Sequence, residues 1–224
     1  MPPRTQDQDF LYLFPESVET EANGKRSLRW NNPDGPFAQA RSLPFNANLL
    51  TIQSLHDVLS PEDCARVVAL GEAQPLIDGR VELGLNPYRV SHISWIVPEP
   101  ENHWLFHKLA ALFSEANRQY GFELTGFVDG LQYTKYTTTH HFEWHVDIGT
   151  DRSSGRKLSM TLQLSRPEEY AGGGLEFVSS KIGEEARQLG TATFFPSYLA
   201  HRVTPVESGT RRSLVAWAYG PAFR

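Results

Sequence analysis

Apolar and polar residues alternate along most of the second half of the chain. The runs LQYTKY, HHFEWHVDI, KLSMTLQLS, LEFVSS, TATFFPS and RRSLVAWAY are rich in β-branched and aromatic residues and are separated by turn-forming stretches such as RSSG, AGGG and ESGT. That pattern predicts a series of strands. Two earlier stretches have a different period. Ser60-Pro61-Glu62-Asp63 supplies an N-cap, a proline at the first helical position and an acidic first turn, which predicts a helix over about 61–72. In HWLFHKLAALFSEANRQYGF, Leu105, Leu109, Leu112 and Phe113 recur at three- and four-residue spacing, and Gly121 is placed to end the helix. LLTIQSLHDVL has strand character. Residues 1–45, which include NNPDGPFAQA, read as an extension with little regular structure of its own. A helical front half followed by an all-β back half predicts a mainly β domain over 46–224: a sheet sandwich closed over a pocket, with N-terminal helices packed outside.

Composition narrows the function. A chain of 224 residues accommodates one substantial domain. No stretch approaches the roughly 18 apolar residues of a membrane helix. The net charge of −5 comes without any block of Lys and Arg, which argues against broad nucleic-acid or membrane-surface binding and favours a small or peptidic substrate. Cys64, the only cysteine, reads as a buried structural thiol. The polar start MPPRTQDQDF lacks the apolar run of a secretory signal, so a soluble, cytoplasmic protein is expected.

His145 and Asp147 are two residues apart, so on a strand both side chains would project from one face and could chelate one metal. His201, in FFPSYLAHRVTP where a hydrophobic strand runs into a turn, is the candidate third ligand. Two imidazoles and one carboxylate on one face of iron leave the open positions that oxygen activation requires. Hydrolysis by zinc is the competing use of the same triad. Arg211 stands ten positions after His201, at the head of RRSLVAWAY, where Arg211, Ser213, Val215 and Trp217 share one face and Arg212, Leu214 and Ala216 the other. A buried arginine needs an anion. Arg211 with the Ser213 hydroxyl suits a carboxylate, such as the far end of 2-oxoglutarate when its other end chelates iron.

The blocks LQYTKYTTTHHFEWHVD, GGGLEF and FFPSYLAHRVTPVESGTRRSLVAWAYGP resemble the catalytic core of the prolyl 4-hydroxylase-like Fe(II)/2-oxoglutarate-dependent dioxygenases, especially their bacterial branch, over roughly 49–221. The resemblance implies a double-stranded β-helix, the cupin-like jelly roll. It makes His145, Asp147 and His201 the iron ligands, places Arg211 and Ser213 at the far carboxylate, and has Tyr136 line the cosubstrate pocket. Where the family often carries Tyr or Thr on the strand KLSMTLQLS, this chain offers Thr161 and Gln163, which are taken as further cosubstrate contacts. The implied cofactors are Fe(II), 2-oxoglutarate and O2, with ascorbate as a candidate reductant. Related halogenating enzymes lack the carboxylate, so Asp147 favours hydroxylation of an unactivated C–H bond. The expected substrate is a prolyl or other residue in a peptide or protein. The alternatives are a free amino acid or small natural-product intermediate, and a metal-bound jelly roll that senses without turnover.

The remaining polar residues read more plainly. His140 and His141 belong to the rim or surface, and Glu143 belongs to the rim although alternation puts it on the face of His145. Trp144 points away from the metal, and Trp217 either flanks it or packs in the core. Gly172 to Gly174 form a tight turn, since no helix or lysine follows as a phosphate loop demands. Arg80, Arg89 and Lys135 are candidates to meet a substrate carboxylate or peptide backbone, but as isolated charges they are expected to be solvated.

Overall fold

In the computed structural model, which describes residues 10–12, 15–29, 37–39, 46–79, 81–83 and 86–222, the chain divides into two units, 1–45 and 46–224. The first unit contains β1 (Phe10–Tyr12), β2 (Ser17–Thr20), β3 (Arg26–Arg29) and β4 (Phe37–Gln39), with β1 pairing β4 and β2 pairing β3, both antiparallel. The expectation of little regular structure here is therefore overturned. The turn between β2 and β3 is Asn23-Gly24, with Gly24 at φ 79° and its N–H donating to the Glu21 carbonyl. Asn-Gly between two alternating runs is a strong local hairpin signal, and it was passed over. The stretch NNPDGP lies outside the described residues.

The second unit contains β5 (Gln53–Leu55), α1 (Pro61–Ala73), β6 (Ile77–Asp78), β7 (Val81–Leu83), β8 (Asn86–Val90), β9 (His92–Ile96), α2 (His103–Tyr120), β10 (Gly126–Phe127), β11 (Leu131–Tyr136) and β12 (His141–His145). It continues with β13 (Arg156–Gln163), β14 (Tyr170–Gly172), β15 (Leu175–Phe177), β16 (Ala192–Pro196), β17 (His201–Val203), β18 (Val206–Gly209) and β19 (Arg211–Tyr219). Both helices fall where the sequence placed them. Ser60 accepts from the Asp63 N–H at 3.1 Å, and Gly121, at φ 66°, ends α2 with its N–H on the Asn117 carbonyl. The front half is not simply helical, however, because β6 to β9 lie between the helices. The run HISWI alternates, and as β9 it pairs with β11 in the large sheet.

Two sheets form the body of this unit. The larger runs β5-β16-β13-β19-β11-β9-β6, with β10 also on β19; the smaller runs β15-β17-β12-β8-β7. Alternation decides what each face of the large sheet meets. Leu158, Met160 and Leu162 of β13 and Leu214, Ala216 and Ala218 of β19 join Leu105, Leu109, Phe113 and Val67 of the helices in one buried cluster. The opposite face carries Ser159, Thr161 and Gln163 of β13 beside Trp217, Val215 and Ser213 of β19, in that register. A second cluster, with Phe195 from the large sheet and Phe177 and Val203 from the small one, closes the space between them. This is the predicted jelly roll with flanking helices: one sheet face is given to the core and the other to polar chemistry. No described helix is long and apolar enough to cross a membrane.

Candidate active site

The side chains of His145, Asp147 and His201 converge, with one potential ligand atom from each within 4.8 Å of the others. The regular strand accounts for only part of this convergence, because Asp147 lies outside it. β12 ends at His145, and a register shift separates Phe142 from His145 in its pairing with β17. Asp147 lies beyond the strand, held by its N–H donating to the Ser197 carbonyl at 2.9 Å. Phe142 stacks on the His145 ring at 3.5 Å, while the Glu143 side chain is 47 % exposed, in the rim position expected of it. Trp144 points outward, under the Arg202 guanidinium.

Each imidazole is oriented by a backbone carbonyl. The Nδ1 of His145 lies 2.7 Å from the Glu143 carbonyl and that of His201 2.9 Å from the Leu199 carbonyl. A carbonyl can only accept, so these contacts assign the proton to Nδ1 and leave both Nε2 lone pairs toward Asp147. The Nε2 atoms stand 3.8 and 3.7 Å from the Asp147 carboxylate oxygens. Burial first, and then His201, push the His145 imidazolium down to about 4 against the pull of Asp147. The ring is therefore neutral at physiological pH. Burial alone would raise Asp147, but His201, His145 and the Ser159 hydroxyl outweigh it and hold the carboxyl below its ordinary value. Two imidazoles and one carboxylate, close enough to share an ion, fit a divalent metal of the iron type with positions left for other ligands.

Ser159 was missed in the sequence, although alternation along KLSMTLQLS places it on the same face as Thr161. Its hydroxyl donates to Asp147 Oδ2 at 2.6 Å and lies 2.9 Å from the Ser197 hydroxyl. Partners that orient a ligand carboxylate are worth roughly ten- to a hundredfold in metal affinity. Ser159→Ala should lose that much affinity for Fe(II) or Mn(II) by calorimetric titration, with an unchanged circular dichroism spectrum.

A cavity of about 360 Å³ contains the triad and is also lined by Tyr136, Thr161, Arg211, Ser213 and Trp217. Arg211 is 1 % exposed, and its Nε and Nη2 have no hydrogen-bond partner. A guanidinium buried in that state is expensive unless an anion arrives. Its two orphaned donors form a fork that matches a carboxylate, so the lining fits the cosubstrate as well as the metal. The Tyr136 ring packs at 5.5 Å from this guanidinium. Gln163 is the exception among the expected contacts. It neighbours Ser213 in register but lines an adjoining cavity of about 720 Å³, its buried Oε1 without a partner.

The glycine turn serves the arginine. A Cβ on Gly173 would lie 3.1 Å from Arg211 Cδ and 2.9 Å from Val206 Cγ2, at φ 60°. Gly173→Ala should therefore displace Arg211 as well as strain the backbone, at a cost of about 1–2 kcal/mol for the left-handed conformation. Thermal unfolding would read the strain, and weaker 2-oxoglutarate binding would read the displacement.

Arg156 was also passed over. It ties Asp129 at 2.7 Å and the Asp147 carbonyl at 3.2 Å, and stacks 3.8 Å over Trp217. His140 packs against His92, outside the triad. Lys135 pairs with Glu72 at 3.3 Å, and Arg80 lies outside the described residues. Arg89 departs most from expectation: it is 9 % exposed and lines the triad cavity.

The family model described as the 2OG-Fe(II) oxygenase superfamily matches residues 131–219, from β11 through β19. A PKHD-type hydroxylase of Bordetella pertussis is 30% identical over 173 residues, spanning 72% of this chain and 75% of its own. The chain belongs to the 2OG-Fe(II) oxygenase superfamily. Among solved structures it is similar to a Pseudomonas putida prolyl-4-hydroxylase, with TM-score 0.61 and 19% identity over 77% of this chain and 94% of that one. A Trichoplax adhaerens prolyl hydroxylase, in complex with a hypoxia inducible factor peptide fragment, gives TM-score 0.62 at 18% identity, over 78% and 84% of the two chains. At such identities these structures speak for the fold, which is the double-stranded β-helix of 2OG oxygenases. As a prolyl 4-hydroxylase-like 2OG-Fe(II) oxygenase of bacterial type, the chain is an enzyme that works with Fe(II), 2-oxoglutarate and O2.

Proposed function

We propose that this oxygenase hydroxylates an unactivated C–H bond of a prolyl or other residue in a peptide or protein, releasing succinate and CO2. In this reading His145, Asp147 and His201 hold iron(II), and Arg211, assisted by Ser213, Tyr136 and Thr161, holds the far carboxylate of 2-oxoglutarate. Gln163 borders that seat from the neighbouring cavity. The observation that carries the reading is the fully buried, half-unpaired Arg211 guanidinium in the same cavity as the triad. Bound iron(II) with 2-oxoglutarate supplies the oxidising chemistry by which one oxygen atom of O2 enters the C–H bond. The chain's own residues orient and shield: carbonyl contacts fix both imidazole tautomers, Ser159 fixes the carboxylate, and Phe142 and Trp217 cover the metal side with apolar surface.

The peptide assignment draws support from the peptide held by the Trichoplax hydroxylase. A free amino acid or other small molecule is the second reading. It is favoured by the triad cavity, whose 360 Å³ is near the low end of ligand sites, about 300–1,000 Å³. Adding Fe(II) and 2-oxoglutarate without oxygen should produce a weak visible charge-transfer band, and its absence would sink the cosubstrate seat. Mass spectrometry of peptide and metabolite libraries for oxygen-dependent gain of one oxygen atom then distinguishes the two substrate classes.

A further inference from the structure

Arg89 is a buried cation with no matching anion among the described residues. Its Nε donates to Ser91 Oγ at 2.9 Å and its Nη2 to Gln132 Oε1 at 2.8 Å, both neutral acceptors. No described carboxylate lies within ion-pair distance of it, whereas Arg156, the other arginine of the lining besides Arg211, is matched by Asp129. The position is beside the metal site: Arg89 pairs with Phe142 in register, lies 4.8 Å over its ring, and that ring stacks on His145.

Charge bookkeeping in the cavity sharpens the point. Iron(II), Asp147, the dianionic cosubstrate and Arg211 together sum to zero, so Arg89 is the positive charge left over among the described lining residues. The cosubstrate does not supply the missing anion while its far carboxylate is on Arg211. Arg89 meets β11 at Gln132 and Arg211 meets it at Tyr136, four residues apart or roughly 13 Å of strand. One carboxylate cannot serve both. With two of its N–H groups taken by Ser91 and Gln132, the guanidinium keeps its outer edge for a further acceptor, an arrangement suited to a carboxylate.

Resting on the hydroxylase reading above, we infer that the primary substrate presents a carboxylate to Arg89, which sets how its C–H bond is held beside the metal. Two sources share this chemistry: a free amino or other small acid, and a carboxylate carried by a peptide. The small remaining volume of the cavity suits either a small acid or the end of a chain.

The test uses matched probes on the anaerobic Fe(II)·2-oxoglutarate enzyme, with perturbation of the charge-transfer band and fluorescence of Trp95 and Trp217 as binding readouts. Free N-acetyl amino acids are compared with their amides, and short peptides with free C-termini are compared with amidated ones. In at least one arm the carboxylate form should bind about tenfold or more tightly than its amide, and the arm that responds identifies the source. Arg89→Gln should erase that preference while leaving 2-oxoglutarate affinity within about twofold, and Arg89→Lys should keep part of it. Equal binding of acids and amides, no binding by any acid, or a large loss of 2-oxoglutarate affinity in Arg89→Gln would each overturn the assignment. The matched-pair comparison on the unmutated protein decides the matter even if the variants fold poorly. Failure of the band to form before any probe is added would instead overturn the cosubstrate seat.

Discussion

Arg211→Met is expected to weaken 2-oxoglutarate binding by a factor of about a hundred or more while leaving the ligand-free protein as stable as before, or more stable. The two signs have one cause. In the ligand-free protein the guanidinium is buried with Nε and Nη2 unpaired, and a buried charge in that state opposes folding. Methionine removes the charge and keeps the stem that packs under Gly173. Loss of a buried, charge-assisted carboxylate contact costs about 3 kcal/mol, within the usual 2–5. Titration of the charge-transfer band measures the first effect, and thermal unfolding without ligand measures the second. A variant that bound 2-oxoglutarate with full affinity would remove Arg211 from the seat.

Asp147→Ala should abolish turnover and reduce metal affinity by more than a hundredfold, with a smaller loss in the stability of the metal-free protein at neutral pH. Asp147 contributes its carboxylate to both imidazoles from a side chain that is only 8 % exposed. Without a metal, the interactions with His145, His201 and Ser159 outweigh the burial that opposes its ionisation, so removing the group costs the metal-free protein some stability at neutral pH. The larger loss appears when an ion is added. Metal-induced stabilisation follows ligand concentration over dissociation constant, so a hundredfold loss of affinity removes about 2.7 kcal/mol at saturating metal. Calorimetry with Mn(II), together with melting curves with and without the ion, separates this from general damage: the metal-free variant should still unfold cooperatively, and the metal-dependent shift should vanish. A metal shift of normal size would exclude Asp147 as a ligand.

The parts of the site that were legible in the sequence depend on residue chemistry more than on backbone path. His145, Asp147 and His201 stand out because they can bind one metal, and Arg211 because charge at the head of an alternating strand needs an anion. A shared strand face is only part of the reason for the His145 and Asp147 pairing, because β12 ends at His145 and Asp147 is held beyond it by the Ser197 carbonyl. A period-two pattern cannot show where a strand stops or where its pairing shifts, as it does between Phe142 and His145. Glu143 has the exposed rim position expected of it. The Asn23-Gly24 hairpin was legible and passed over.

Local pattern by itself determined the helices at 61–73 and 103–120 and the strand faces of β13 and β19. Those follow from side-chain periodicity and capping, which act over a few residues. Tertiary structure alone decided which polar groups lost water. Ser159 became the support of Asp147, Arg156 found Asp129, and Arg89, expected in solvent, was enclosed beside His145 with the neutral partners Ser91 and Gln132 among the described residues. Burial depends on neighbours brought from distant parts of the chain, and so does the resulting demand for a counter-charge.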